Sequence, residues 1–454
     1  MTRDPSRRGP QSGGDLRRQL GLWDAVAIFV GIILGSGIFL APSKVAAAAP
    51  GPLAAVGLWI VGGLAAACGA MCYAECGARM PRTGGFYVFY REAYGEAAAF
   101  VGGWAALLVT YPASIAAIAN IFSRYLRAAF PGALETDSRQ AAAAAAAVLA
   151  AGLLNASGVR TGAWTQRVLT AVKVSALAAL CLAAALAPAE LPRTGGAGSP
   201  LQLTHDLSVM LIALVIVLWT YDGWSDVTLV SGEIERPGRN IGRSVVLGIG
   251  VLIVLYGMVQ FAVMSVLPAE RAAESEQVVA DAVQAGLGPG AGRVVALLVV
   301  VCTLGSINGV VLAASRLGYA MARDGSFLAW FGQVHPRWGT PARSVAALVA
   351  ATLFYTVTSS FDALMKMFSF SVWIFYGLTA VATVVLRRRG VGEPVEWKAP
   401  GGWLAPGVVL AAAAAMTSGL LFLEPLASVS GLALLAAGLP AYFFWKRMRE
   451  RGSS

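Results

Sequence analysis

The sequence predicts an all-α membrane protein with about twelve transmembrane helices, and three observations predict it. Of its 454 residues 57% are hydrophobic and only 13% charged, about half the charged share of an average soluble domain. Its apolar runs are roughly 20 residues long, the length that crosses a bilayer as a helix. Its arginines and lysines fall mainly in every second loop between those runs. Lipid offers no hydrogen bonds, so each run must close its own backbone bonds as a helix.

The runs fall near 22–46, 53–78, 97–129, 139–156, 164–188, 206–231, 244–266, 292–321, 342–358, 363–386, 404–422 and 426–445. Arg3, Arg7, Arg8, Arg17 and Arg18 precede the first; Arg79, Arg82 and Arg91 follow the second. Arg160 and Arg167, then Arg236, Arg239 and Arg243, follow the fourth and sixth. Arg323, Arg337 and Arg343, then Arg387, Arg388, Arg389 and Lys398, follow the eighth and tenth, and Lys446 to Arg451 follow the twelfth. A twelve-span count puts all these loops on one side, which the positive-inside rule makes cytoplasmic together with both termini. The net charge of +10 and pI near 9.6 therefore report membrane topology rather than a nucleic-acid partner. Residues 1–20 and 447–454 read as polar tails. The N-terminal stretch is arginine-rich and lacks the apolar core of a cleavable signal, so the first span itself is expected to direct insertion.

Two loops are more than connectors. Residues 80–95 mix aromatics, glycines and charges and read as an amphipathic segment at the cytoplasmic face. Residues 267–290 read as an external loop carrying one short amphipathic helix. The five cysteines (Cys68, Cys72, Cys76, Cys181 and Cys302) all lie in apolar runs or at their ends, which speaks against a disulfide framework. Cys68, Cys72 and Cys76 share a helix face at four-residue spacing. With no histidine near, close packing of small residues accounts for them better than a metal site does.

Two spans contain interruptions. The first holds Gly31, Gly35 and Gly37 with Ser36 between the last two. Glycine weakens a helix by ~1 kcal/mol relative to alanine. Such a cluster serves either close packing against another helix or an unwound segment lining a cavity. The sixth span holds Trp219-Thr220-Tyr221-Asp222-Gly223-Trp224. A carboxylate there costs at least ~2.5 kcal/mol on insertion scales and usually has a task; the alternative is an Asp222 near the interface or capping a local turn. The interruptions are five spans apart, which points to an inverted-repeat transporter with a first five-helix unit over 21–190 and an oppositely oriented second over 205–388. Residues 403–446 then add two further spans. Free amides at one half-helix end favour a carboxylate, and free carbonyls at another favour an ammonium. A site with both ends suits a zwitterion, that is, an α-amino acid.

Only five of the 34 basic residues are lysine, and Lys173 lies inside the fifth span. Arginine stays charged, whereas a buried lysine can release its proton. Lys173 is thus either a switchable cation or a fixed bridge between helices.

These residues carry a resemblance. The chain resembles the amino acid–polyamine–organocation superfamily of permeases, and within it the bacterial relatives of the L-type amino acid transporters. The resemblance rests on GSGIF at 35–39, the stretch from Tyr73 to Tyr90, the segment ending at Lys173, WTYDGW at 219–224, GEIERPGRNI at 232–241, and SRLGYAMARDG at 315–325 followed by VHPRWGTPA. It implies a LeuT-like fold of five-plus-five inverted repeats with two extra helices. It implies a secondary amino-acid transporter in a bacterial inner membrane, coupled to protons or working by exchange. Gly35, Ser36 and Gly37 would hold the substrate carboxylate. The carbonyls of Ile33, Trp219 and Asp222 would hold its amine, within a site that also takes in Thr220, Tyr221 and Gly223. Trp219 would close over the substrate, and Val310 would face its side chain. Lys173 would replace a second sodium between spans one, five and eight, with Thr303 and Ser306 near it. Gly242 stands where the family often has proline. No cysteine lies in the loop between spans three and four, so a disulfide-linked heavy chain is not expected.

The pocket segments supply no carboxylate clearly aimed at a cationic side chain, so neutral amino acids are expected. If the Asp222 carboxylate faces the pocket, cationic amino acids or polyamines become candidates. An enzyme is disfavoured: the two histidines, His205 and His335, lie near loops, and no ligand cluster, nucleophile elbow or phosphate loop is present, so neither cofactor nor metal is expected. A sensor that binds without carrying is the remaining alternative class.

Overall fold

The computed structural model describes residues 16–186, 207–288, 290–395 and 397–452. His205 and most of the N-terminal tail lie outside the described residues. Every described regular segment is helical apart from one isolated β-bridge.

The first apolar run forms α1 (Leu22–Ile33) and α2 (Gly37–Ala48), bent by 54° at the break between them. It is followed by α3 (Pro52–Arg79) and the short α4 (Phe86–Tyr94). The third run is α5 (Glu96–Ala105), a π-helical turn at Ala106–Thr110 and α6 (Tyr111–Ala129). Then come α7 (Asp137–Ala156), α8 (Val159–Leu186) and α9 (Leu207–Thr220) with a 3₁₀ extension, Asp226–Glu233. The second half continues with α10 (Pro237–Val266), α11 (Ala269–Glu274), α12 (Val278–Leu287) and α13 (Ala291–Arg323). It ends with α14 (Ala342–Thr358), α15 (Phe361–Arg389), α16 (Leu404–Leu423) and α17 (Pro425–Gly452). Among the described residues each of the twelve apolar runs falls mostly on helix. Seven unbroken stretches are long and apolar enough to cross a membrane, and the bent α1–α2 pair makes an eighth. The remaining runs are α9 with its 3₁₀ extension, α14, α15 and α17.

Both segments read as unusual loops differ from expectation. In α4, Phe86 to Tyr90 are all buried rather than one face lying on lipid. Tyr90 and Tyr94 donate their hydroxyls to the carbonyls of Phe375 and Leu378 on α15, each at 2.6 Å. A tyrosine buries its ring readily once its hydroxyl has an acceptor, and that anchors the segment inside the bundle. Residues 267–290 hold two helices rather than one, and α12 buries Val278, Val279, Ala282 and Val283. The C-terminal residues read as a tail continue α17 to Gly452.

The broken helix α1 packs against α8, α10 and α13. Gly31 belongs to this packing: a Cβ there would lie 2.1 and 2.2 Å from side-chain atoms of Gln166 and Thr170 on α8. Two ion-pair clusters, the first fully buried and the second partly, tie the ends of the spans together. Arg316 on α13 meets the Glu233 carboxylate through Nε and Nη2 at 2.8 and 3.0 Å, with both side chains enclosed. Glu75 on α3 accepts from Arg387 Nε at 2.8 Å, from Arg79 Nε at 3.1 Å and from the Ala399 amide at 2.8 Å. The Glu233 carbonyl also receives the amides of Gln19 and Leu20, each at 2.9 Å, and Leu20 forms a parallel bridge with Ile234.

Removing one partner of a buried pair leaves the other charge uncompensated, at a cost of ~3–5 kcal/mol. Arg316→Met is therefore expected to lower the melting temperature in detergent, and Arg316→Met/Glu233→Gln to recover part of the loss. A single variant that melts with wild type refutes this role for the pair.

Candidate substrate site at two broken helices

The α1–α2 break leaves Leu34, Gly35 and Ser36 outside helix. The Ser36 and Gly37 amides donate to no backbone carbonyl among the described residues. They sit at the N-terminus of α2, where free N–H groups and the helix dipole favour an anion. In the sixth span α9 ends at Thr220 and the chain unwinds through Tyr221–Ser225. Gly223 makes this second break: its φ is +109°, and a Cβ there would lie 2.8 Å from Ile32 on α1. Only glycine takes such a conformation without steric cost. A Cβ on Gly37 would lie 3.1 Å from Thr220, so the amide end of α2 lies beside the carbonyl end of α9.

A cavity of about 110 Å³ opens between the two breaks. Ile33, Gly35, Ser36, Gly37, Trp219, Thr220, Asp222, Gly223 and Val310 all line it, as does Ser306. Three expected residues do not. Tyr221 turns away: its hydroxyl donates to the Trp59 carbonyl at 3.1 Å and its ring packs against Trp59 and Tyr256. A large ring with one polar tip is best satisfied in an apolar cluster with a single acceptor, and the α3–α10 interface supplies it. Thr303 spends its hydroxyl on the Val299 and Val300 carbonyls of its own helix, at 2.8 and 3.0 Å. Lys173 lies behind the break.

Lys173 reaches from α8 to the end of α1. Its Nζ is fully enclosed and donates to the carbonyls of Gly31 at 2.8 Å and Leu34 at 3.0 Å and to Ser306 Oγ at 3.3 Å. Ser306 Oγ lies 3.2 Å from the Gly31 and Ile32 carbonyls. The last carbonyls of a helix have no intrahelical donor, so this cluster replaces the turn that α1 lacks. A polar seam continues it towards the arginine-rich face. Thr170 donates to the Ala27 carbonyl at 2.9 Å, Asn308 to Gln166 Oε1 at 2.8 Å, and Asn155 to Asn308 Oδ1 at 2.9 Å.

The carbonyl assigned to the substrate amine from Ile33 already accepts two protein donors, the Gly35 amide at 2.7 Å and the Tyr256 hydroxyl at 3.1 Å. The Trp219 carbonyl accepts the Asp222 amide at 3.1 Å. The Asp222 carbonyl has no backbone donor among the described residues.

The sequence reading missed a second acid. Asp226 lines the cavity, and its Oδ1 accepts from the hydroxyls of Tyr111 at 3.1 Å and Ser225 at 3.0 Å. Asp222 also lines it, and its carboxylate accepts the Tyr376 hydroxyl at 2.6 Å. Among the described residues no lysine or arginine lines the cavity, and Phe368, Val372 and Phe375 of α15 supply apolar wall. Two signals pointed this way. The rule that an ionisable residue inside a span has a task applies to Asp226, four residues after Asp222, as it does to Asp222. Pro112 interrupts the third span, and the π turn just before it carries Ala106 and Thr110 to the cavity wall beside Tyr111. Proline lacks an amide donor, and π turns gather at functional sites.

Comparison with known proteins decides the family: a model described as amino acid permease matches residues 20–437. The chain belongs to the amino acid permease family. The b(0,+)-type amino acid transporter 1 of Mus musculus is 31% identical over 384 residues, covering 84% of this permease and 79% of that protein. The large neutral amino acids transporter small subunit 2 of Oryctolagus cuniculus is 31% identical over 448 residues, covering 96% and 83%. Its Homo sapiens counterpart is 30% identical, covering 98% and 84%. These relatives are mammalian, whereas the sequence was likened to bacterial ones. The permease is a multi-pass membrane protein that transports amino acids and is not an enzyme.

Two substitutions probe the geometry. Ser36→Leu is expected to abolish amino-acid binding by filling the amide end of the cavity, with protein abundance kept; wild-type affinity in a scintillation proximity assay refutes it. Lys173→Ala removes charged hydrogen bonds worth ~1.5–3 kcal/mol apiece and is expected to cut uptake by roughly tenfold or more. Quantitative immunoblotting separates the outcomes, because equal loss of protein and of uptake makes Lys173 purely structural.

Proposed function

We propose that this permease carries neutral L-amino acids by alternating access, driven by proton coupling or by exchange. The observation that carries this reading is the amide end of α2 beside the carbonyl end of α9 on one cavity. Gly35, Ser36 and Gly37 hold the substrate carboxylate. The open Asp222 carbonyl holds the ammonium, and Trp219 closes over the occluded molecule. Val310, Phe368 and Val372 meet an apolar side chain. Lys173 and Ser306 couple substrate binding to the position of α1, with Thr303 only an indirect neighbour. The two broken spans head inverted five-helix units over 21–190 and 205–388, and rocking between these units exposes the site alternately.

The loop charges support a bacterial inner-membrane setting with both termini cytoplasmic. A disulfide-linked heavy chain is not part of this reading, because all five cysteines lie on spans and residues 130–136 contain none.

A second reading is favoured by one observation, two acidic residues, Asp222 and Asp226, in a lining that holds no lysine or arginine among the described residues. They suit a substrate whose side chain is itself cationic. Proteoliposome uptake of labelled alanine, with and without internal amino acid and at two pH values, tests transport and coupling. Leucine is expected to compete at concentrations where arginine does not. Arginine-only uptake refutes the neutral assignment in favour of the second reading, and binding without flux refutes transport.

A further inference from the structure

A second cavity, of about 480 Å³, lies away from the breaks, between the start of α1 and the start of α8. Gln19, Asp24, Arg160, Trp164 and Arg167 line it. Arg167 Nε is 2.9 Å from Asp24 Oδ1. Arg160 is exposed and has no ionic partner among the described residues, so the lining carries a net positive charge. Arg17 and Arg18, also exposed, immediately precede it in the chain.

The surface beside this basic cavity is apolar in an ordered way. Arg160, Trp164, Val168 and Val172 recur every four residues along α8, which places them in one stripe. Trp164 is 59% exposed, Val168 41% and Val172 45%, and Trp23 at the start of α1 is 68% exposed. The stripe thus runs from Arg160 through an exposed indole to exposed valines, the order in which a phospholipid presents phosphate, glycerol and acyl chain. Tryptophan favours the headgroup level of a bilayer, and basic pockets between spans on the cytoplasmic side suit anionic headgroups.

We propose that this groove binds one anionic phospholipid, with its phosphate at Arg160 and Arg167 and an acyl chain along Trp164, Val168 and Val172. A soluble phosphate ion has no use for the valine stripe. The bound lipid bridges α8 to the N-terminal segment of α1, whose Gln19 and Leu20 amides also hold the Glu233 carbonyl. It therefore steadies the half of the broken span nearest the arginine-rich face. The site is separate from substrate recognition, and its test does not depend on transport.

Native mass spectrometry of the full-length permease, titrated with phosphatidylglycerol or phosphatidylcholine of equal chain length, tests it. One phosphatidylglycerol adduct is expected to survive at activation energies that strip phosphatidylcholine. Arg160→Gln/Trp164→Ala is expected to weaken that adduct by about fivefold or more, the effect of one basic residue at an anionic surface. Arg160→Lys, and Arg139→Gln on the opposite side of the molecule, are expected to retain it, which separates a lost site from a lost fold. Equal retention of the two lipids overturns the proposal, as does an unchanged adduct in the double variant. Displacement by millimolar glycerol phosphate also overturns it, by making the groove a site for soluble anions.

Discussion

The hold of Lys173 and Ser306 on the last carbonyls of α1 is the interaction on which the rest of the site depends. A helix that stops inside a bilayer leaves several carbonyls without donors, and hydrocarbon supplies none. Gly31 and Leu34 offer theirs to one ammonium, Ser306 adds a hydroxyl, and Tyr256 covers Ile33. With those groups satisfied from behind, the chain can turn by 54° and restart at Gly37, leaving the α2 amides open to the cavity. The enclosed lysine needs these partners as much as they need it, since an unpaired buried charge is very costly. Cation and break are therefore mutually dependent.

The second break is solved differently. Among the described residues no lysine reaches the end of α9. Gly223 adopts a left-handed conformation, the Asp222 amide bonds back to Trp219, and a 3₁₀ segment begins at Asp226. Its polar side chains find tyrosines on α6 and α15, whose rings fill the space an interrupted helix leaves. The cavity is consequently lined by Asp222 and Asp226 from span six and, among the described residues, by no lysine or arginine, which bears directly on substrate charge.

The arginine-rich face is held by a distinct set of contacts. The Arg316–Glu233 pair, the Leu20–Ile234 bridge and the Asn155–Asn308–Gln166 seam all lie on elements that touch α1, α8 or the 3₁₀ segment. Buried polar networks of this kind stabilise only when every member is satisfied. Movement of α1 away from α8 would break the bonds of Thr170 and Lys173 to the Ala27 and Gly31 carbonyls together with the Arg167–Asp24 pair, so this face is suited to switching between two arrangements rather than deforming gradually. The groove beside Arg160 borders the same seam from the lipid side.

What the sequence determined by itself was local and periodic. Runs long enough to span a bilayer, alternating loop charge, and glycines or carboxylates out of place within those runs are one-dimensional signals. They located the apolar helices and both breaks, and nine of the ten residues assigned to the substrate, some of them by resemblance alone, line the cavity between those breaks. What only the tertiary structure decided was direction. Tyr221 sits in the same unwound stretch as Asp222, yet it points into an aromatic cluster on α3 and α10, because its ring needed burial and its hydroxyl an acceptor. Thr303 and Ser306 lie three residues apart on α13, but only Ser306 faces α1. Asp226 and Pro112 stood out within their spans, but the bonds of Tyr111 to Asp226 and of Tyr376 to Asp222 join separate spans and form only in the folded bundle, so these pairings had no linear signature. Backbone hydrogen bonding in lipid is satisfied locally and is legible in the sequence; the pairing of buried side chains is satisfied across helices and is fixed only by their packing.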